Sequence, residues 1–186
     1  ISEVAQALSY LHKLGVVHGD LKGSNILVNE TGSACLGEFG LASLSYQNML
    51  TTMSIKGRSM RWAAPELLNP DLFGLQHVIP TLFSDVFSFR HVIWEIFTGG
   101  YPFHRHKSAA VVILNIMRGD RPQRPRQATT LGYYDDVWAL TEECWQHAID
   151  KRPHVSDIIP RLHAALEVFD ALGELPVPET WPLEVD

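Results

Sequence analysis

The segment His18-Gly19-Asp20-Leu21-Lys22-Gly23-Ser24-Asn25 sets a carboxylate, an ammonium and an amide within six residues. Thirteen residues after Asn25 comes Glu38, in the triplet Glu38-Phe39-Gly40. Asn25 and Glu38 offer two oxygen ligands, Lys22 a cation and Asp20 a further carboxylate. Magnesium prefers hard oxygen donors, so this set suits a site for magnesium and a phosphate chain. Phosphoryl transfer needs positioning and charge neutralisation more than covalent chemistry, and these residue types supply both.

Bringing them together falls to the elements around them. Ile26–Val28 and Ala34–Leu36 are short apolar runs separated by Asn29-Glu30-Thr31-Gly32, which reads as a β-hairpin. A hairpin folds its two ends together, so Asp20, Lys22, Asn25 and Glu38 are expected to converge at one edge. Upstream, Ile1, Val4, Leu8 and Leu11 recur at helical spacing and predict a helix that stops at Gly15. Ile1 falls on a helix already under way, so the N-terminus of the gene product is expected further upstream. Residues 41–61 are rich in Ser, Thr, Met and Gly without a period and read as a long loop, of a length that is usually functional. Thr51, Thr52 and Ser54 within it are candidate phosphorylation sites.

From Ser84 to Thr98 the apolar residues, Val86, Phe87, Phe89, Val92, Ile93, Trp94, Ile96 and Phe97, cover most of the helix circumference. That predicts a buried central helix, ended by Gly99-Gly100. Further helices are expected over Ser108–Arg118 and Asp135–His147, the latter with acidic residues in its first turn. Ser156 is read as the cap of a last helix, with Pro160 tolerated in its first turn. The fold class is mainly α: a helical bundle around a buried central helix, with one small β-hairpin. The domain is expected over 1–172, followed by a flexible, Pro-rich and acidic tail over 173–186.

Composition narrows the function. With 46% apolar residues, 19% charged residues and a net charge of −6, the chain has a globular balance and no basic field for nucleic acid. No nucleic-acid partner is expected. Cys35 and Cys144 show neither metal-type spacing nor a disulfide framework, which fits a reducing compartment. No signal peptide opens the chain and no apolar run reaches membrane-spanning length, so a cytoplasmic location without a membrane span is expected.

Taken in order, the motifs resemble the signature set of the eukaryotic protein kinase domain, in its C-terminal lobe alone. His18–Asn25 resembles the catalytic loop, Glu38-Phe39-Gly40 the metal-binding triplet, and Ala64-Pro65-Glu66 the end of the activation segment. Ser84–Phe89 followed by Trp94-Glu95-Ile96 resembles the central helix, and Cys144-Trp145 with Lys151-Arg152-Pro153 the late helices. The resemblance runs from about Ile1 to Leu172. It implies that Asp20 accepts the proton of a substrate hydroxyl, that Lys22 neutralises the transferring phosphate, and that Asn25 and Glu38 hold the metals. Leu27 would lie beneath the adenine, so Lys22, Asn25, Leu27 and Glu38 together form the nucleotide site. His18 and Phe39 would stack in a regulatory core, Asp85 would anchor the catalytic loop, and Glu66 would pair with Arg152. Lys22, with Ser59 before Arg61-Trp62 as a substrate-docking residue, resembles the serine/threonine-directed and tyrosine-kinase-like branches.

The implied cofactors are ATP and Mg2+, provided the N-terminal lobe is supplied; the implied partner is a protein substrate or a signalling protein. No G-x-G-x-x-G occurs in the sequence. Three residues depart from the family pattern: Glu38 where aspartate is usual, Gly19 where many relatives carry arginine, and Arg90 where a small glycine is usual. The Arg90 charge must leave the core or find a partner. Three readings follow: a phosphotransferase when joined to its other lobe, a pseudokinase scaffold or binding module with decayed nucleotide chemistry, and a truncated product with no role of its own.

Overall fold

The computed structural model describes residues 1–38, 59–173, 176, 178–183 and 185. Its helices are α1 (Ser2–Lys13), α2 (Pro65–Leu68), α3 (Leu82–Thr98), α4 (Ala109–Arg118), α5 (Asp135–Cys144) and α6 (Val155–Ala171). The strands β1 (Ile26–Val28) and β2 (Ala34–Leu36) pair antiparallel in the register Ile26↔Leu36, Leu27↔Cys35 and Val28↔Ala34. This is the mainly helical architecture with one small hairpin that the hydrophobic pattern implied. Helix α1 packs on α6 and β2, α3 on α5, and α2 on α4. The apolar stripe of α1 (Val4, Ala5, Leu8), the interior residues of α3 (Val86, Phe89, Val92, Ile93, Trp94) and the inner faces of α5 and α6 (Leu140, Cys144, Ile158, Leu162) form one core.

Several boundaries move for identifiable reasons. Helix α3 begins two residues earlier than Ser84 because Thr81 and Ser84 form a reciprocal capping box: each backbone N–H donates to the other's hydroxyl. Helix α5 ends at Cys144 rather than His147. The carbonyls of Trp145 and Gln146 accept from the Arg121 and Arg152 side chains instead of serving a continued helix. The last helix starts at Val155 with His154 as N-cap, so Ser156 is not its cap. Pro160 then lies in the second turn, inside the helix, where it denies the Ser156 carbonyl its usual donor. The segment expected to be a loose tail includes Leu183 and Val185, each only 7% exposed and part of the main core.

Arg90 neither leaves the core nor finds an acceptor. It is fully buried on α3, and none of its three guanidinium nitrogens has a hydrogen-bond partner among the described residues. The guanidinium carbon instead lies 3.3 Å from the ring centroid of Trp145 and 4.8 Å from that of Trp138. Burial lowers its pKa to about 10, so the charge persists at neutral pH. A desolvated cation–π contact contributes about 2 kcal/mol, whereas burying an ion costs several; desolvation wins. Arg90→Met is therefore expected to raise stability by about 1–3 kcal/mol, read as a later urea midpoint. An unchanged or earlier midpoint would mean that the two indoles fully replace the lost water.

His91 follows it, buried between aromatic rings. Its Nδ1–H donates to the Phe87 carbonyl at 3.2 Å, and its Nε2 has no partner among the described residues. Burial, then the fields of Arg90 and Arg121, hold its pKa well below the ordinary value. Burial likewise lowers that of His18. A group whose folded pKa is depressed binds fewer protons folded than unfolded, so stability falls as pH drops below about 6.5. The expected slope approaches ~1.4 kcal/mol per pH unit for each such histidine. Melts between pH 7.5 and 5 check this, and His91→Leu should flatten the slope.

Candidate active site

The loop of residues 18–25 hangs from the first turn of α3. Asp85, 1% exposed, accepts the His18 N–H at 2.8 Å on Oδ2 and the Gly19 N–H at 2.9 Å on Oδ1. His12 of α1 adds its Nε2 to Oδ2 at 3.0 Å. Asp85 was singled out in the sequence as a buried anchor, and here it fixes two successive amides of the loop. Gly19 has φ 78°, a conformation that L side chains rarely adopt.

His18 joins this loop to the exit of β2. Its Nε2–H donates to the Gly37 carbonyl at 3.1 Å, while Nδ1 accepts the Asp20 N–H at 3.3 Å. These two bonds require the neutral ring protonated on Nε2, in line with the lowered pKa.

Downstream, three predicted side chains meet. Lys22 Nζ donates to Asp20 Oδ2 at 2.5 Å and to Ser59 Oγ at 3.1 Å. Asn25 Nδ2 donates to the Asp20 carbonyl at 2.8 Å and lies 3.4 Å from Asp20 Oδ2. The Asn25 NH2 group is thus directed at Asp20. The Asp20 and Lys22 side chains are about one-fifth exposed, so a substrate can reach them. The Gly37 N–H closes the hairpin on the Asn25 carbonyl at 2.8 Å.

Glu38 does not join this group. It follows Gly37 at the same end of the hairpin, but it is exposed, has φ 52°, and makes no hydrogen bond to Asp20, Lys22 or Asn25. Positive φ is uncommon for a residue with a Cβ. The convergence expected of four residues is thus realised by three, with Ser59 added from the far side. Leu27 is 61% exposed and Val28 70%; as neighbours on β1 their side chains point to opposite faces of the hairpin. Phe39 and residues 41–58, with Thr51, Thr52 and Ser54, lie outside the described residues.

Further back, Glu66 and Arg152 form a bidentate ion pair at 2.5 and 2.7 Å, with side chains 1% and 0% exposed. It ties α2 to the segment before α6. The His104-Arg105-His106 segment is held by Arg61, whose guanidinium donates to the carbonyls of Pro102, Phe103 and His106.

The family described as protein tyrosine and serine/threonine kinase matches residues 1–162. The chain belongs to that family. Its relatives include the tyrosine-protein kinase Srms of Homo sapiens, 33% identical over 163 residues, which are 87% of this chain and 31% of the relative. Serine/threonine-protein kinase STY46 of Arabidopsis thaliana is 28% identical over 172 residues, 92% of this chain and 27% of its own length. Serine/threonine-protein kinase LMTK3 of Mus musculus is 31% identical over 157 residues, 84% of this chain and 11% of the relative. The chain therefore spans about a third or less of these relatives, and the helical fold with its single hairpin is consistent with a kinase C-terminal lobe.

One group at this kinase site was not foreseen. Glu95 Oε2, on α3, accepts the Gly23 N–H at 2.9 Å and the Trp62 indole N–H at 3.0 Å. It clamps the 18–25 loop to Trp62. A Cβ on Gly23 would lie 2.5 Å from the Glu95 carboxylate, so the contact needs glycine there. Burial raises the Glu95 pKa, while its two donors oppose that shift. The motif Trp94-Glu95 was visible in the sequence, but nothing local showed that its carboxylate reaches a loop 72 residues away.

No helix among the described residues is long and apolar enough to cross a membrane.

Proposed function

We propose that this kinase chain carries the catalytic loop for ATP-dependent phosphoryl transfer to serine or threonine hydroxyls of proteins. The observation that supports this best is Lys22 Nζ between Asp20 Oδ2 and Ser59 Oγ. Asp20 accepts the proton of the incoming hydroxyl. Lys22 lies beside it to neutralise the phosphoryl oxygens, and Ser59 sets the approach of the substrate residue. Leu27 packs under the adenine. Of the oxygen donors that suit magnesium, the Asn25 amide is at the Asp20–Lys22 cluster and would hold it, whereas the Glu38 carboxylate would do so only by turning in from its exposed position. When bound, magnesium would neutralise charge on the phosphates.

Relatives usually have aspartate where Glu38 stands. The extra methylene displaces the carboxylate in a site where about 1 Å can cost ~100-fold in rate. The test is a chimera that joins the upstream part of a kinase relative to this chain before Ile1, assayed with labelled ATP on serine, threonine and tyrosine peptides. Transfer to serine or threonine is expected, and Glu38→Asp should raise it at least tenfold, which corresponds to ~1.4 kcal/mol. Asn25→Ala should abolish the gain. If Glu38→Asp is no faster than the parent, the carboxylate reach is not the limiting defect.

A second reading is a pseudokinase that acts as a scaffold. The exposed Glu38, standing apart from Asp20, Lys22 and Asn25, favours it. A chimera that is folded, binds ATP weakly or not at all, and is silent with either acidic residue at 38 would support this reading instead.

A further inference from the structure

The central helix α3 ends at an open polar edge. Its last-turn carbonyls have no partner within the helix, as at any helix C-terminus. Gly99 takes φ 71° and returns its N–H to the Glu95 carbonyl, turning the chain away. The Thr98 carbonyl then accepts a hydrogen bond from a residue 85 positions later: the Leu183 N–H donates to it at 2.8 Å.

Around that bond, Trp181, Leu183 and Val185 pack near the helix end. The Trp181 indole covers Gly99 so closely that a Cβ there would lie 2.6 Å from it, so glycine is needed for contact as well as for φ. The Leu183 and Val185 side chains are both buried in the main core. The two anchors are two residues apart, the spacing at which an extended chain presents side chains to one face. Val185 also borders a cavity of about 500 Å3 lined by Trp94, His104, Arg105, Asp120, Arg121 and Gln123. Trp94 closes its floor by donating its indole N–H to the Gln123 carbonyl at 2.9 Å.

We propose that this cleft, between the C-terminal end of α3 and the 121–123 segment, is a peptide-docking groove. Its resident ligand is the chain's own Trp181-Pro182-Leu183-Glu184-Val185 segment. The groove reads an extended backbone through the Thr98 carbonyl and two apolar side chains spaced i, i+2, with an aromatic ring over Gly99. The segment is acidic in sequence, with Glu179, Glu184 and Asp186. Among the described residues, Arg105, Arg121 and Asp120 are the charged groups that line the adjoining cavity. That field favours an acidic peptide over a basic one.

Hydrogen exchange on the intact chain is the first test. The Leu183 amide should exchange at least tenfold more slowly than the amides of the exposed Glu179 and Thr180; equal rates would overturn the proposal. The second test uses a fluorescent peptide spanning residues 178–186. It should bind saturably to the L183D/V185D chain, whose own tail cannot seat, and at least tenfold more weakly to the parent. The same peptide carrying Leu183→Asp should not bind. Should L183D/V185D fail to fold, Val185→Ala, which weakens one anchor only, gives the same comparison. Equal binding to parent and variant, or binding to neither, would overturn the groove. A protected Leu183 amide in a parent that dimerises with concentration, and is monomeric as L183D/V185D, would overturn the assignment of the chain's own tail as resident and give a second copy's tail that place.

Discussion

Arg152→Ala is expected to destabilise the chain by about 3–5 kcal/mol. Arg152 is 3% exposed, and its two terminal nitrogens reach both oxygens of Glu66, itself 1% exposed. The same guanidinium donates to the carbonyls of Phe83 and Gln146 and lies 5.0 Å from the Phe87 ring centroid. Alanine would leave a carboxylate buried without its cation and three carbonyls, those of Phe83, Gln146 and His147, without this donor, and each loss carries a desolvation cost. Domains of this kind have only about 5–15 kcal/mol of stability in total, so the variant should melt far earlier in urea. Arg152→Lys should recover little, because an ammonium cannot reproduce the planar two-pronged contact. A midpoint for Arg152→Ala equivalent to less than ~1 kcal/mol of loss would show that water reaches Glu66 and that the pair is not sealed.

Asp20→Ala should lower phosphoryl transfer by the chimera about 10²–10⁴-fold, the usual contribution of a positioned general base. Asp20 carries the only carboxylate in hydrogen-bond contact with both Lys22 and Asn25 among the described residues. Its loss removes the proton acceptor and frees the ammonium that it orients. Because the side chain is one-fifth exposed and its pairing with Lys22 is partly solvated, stability should change by less than about 1 kcal/mol. ATP affinity should stay close to the parent's while turnover collapses. A variant with parental turnover would remove Asp20 from the chemistry and move the balance to the scaffold reading.

Most of this loop was readable in the residues themselves. Asp20, Lys22 and Asn25 are close along the chain, and the Asn29–Gly32 turn between two apolar runs forces a hairpin beside them, so their meeting is a local consequence. The same holds for the continuous apolar surface of α3 and for the glycines that end α1, α3 and α4. Glu38 shows where local reasoning runs short: the hairpin brings its backbone to the right end, but does not fix its φ of 52° or the exposure of its side chain.

What the sequence by itself determined is the inventory: a polar loop holding Asp20, Lys22 and Asn25, a hairpin, and helices in order, because periodicity and turn chemistry act over a few residues. The tertiary structure alone decided which distant groups complete them. Asp85 captures two loop amides from 66 and 67 positions away, and Glu95 clamps Gly23 to Trp62. Arg90 is accepted into the core because Trp138 and Trp145, from another helix and its end, offer it their faces. Leu183 docks on Thr98 because the end of a buried helix leaves a carbonyl that some donor must meet. In each a buried polar group meets a partner, an acceptor, a donor or an aromatic face, chosen by packing across the whole chain, which no short window of residues contains.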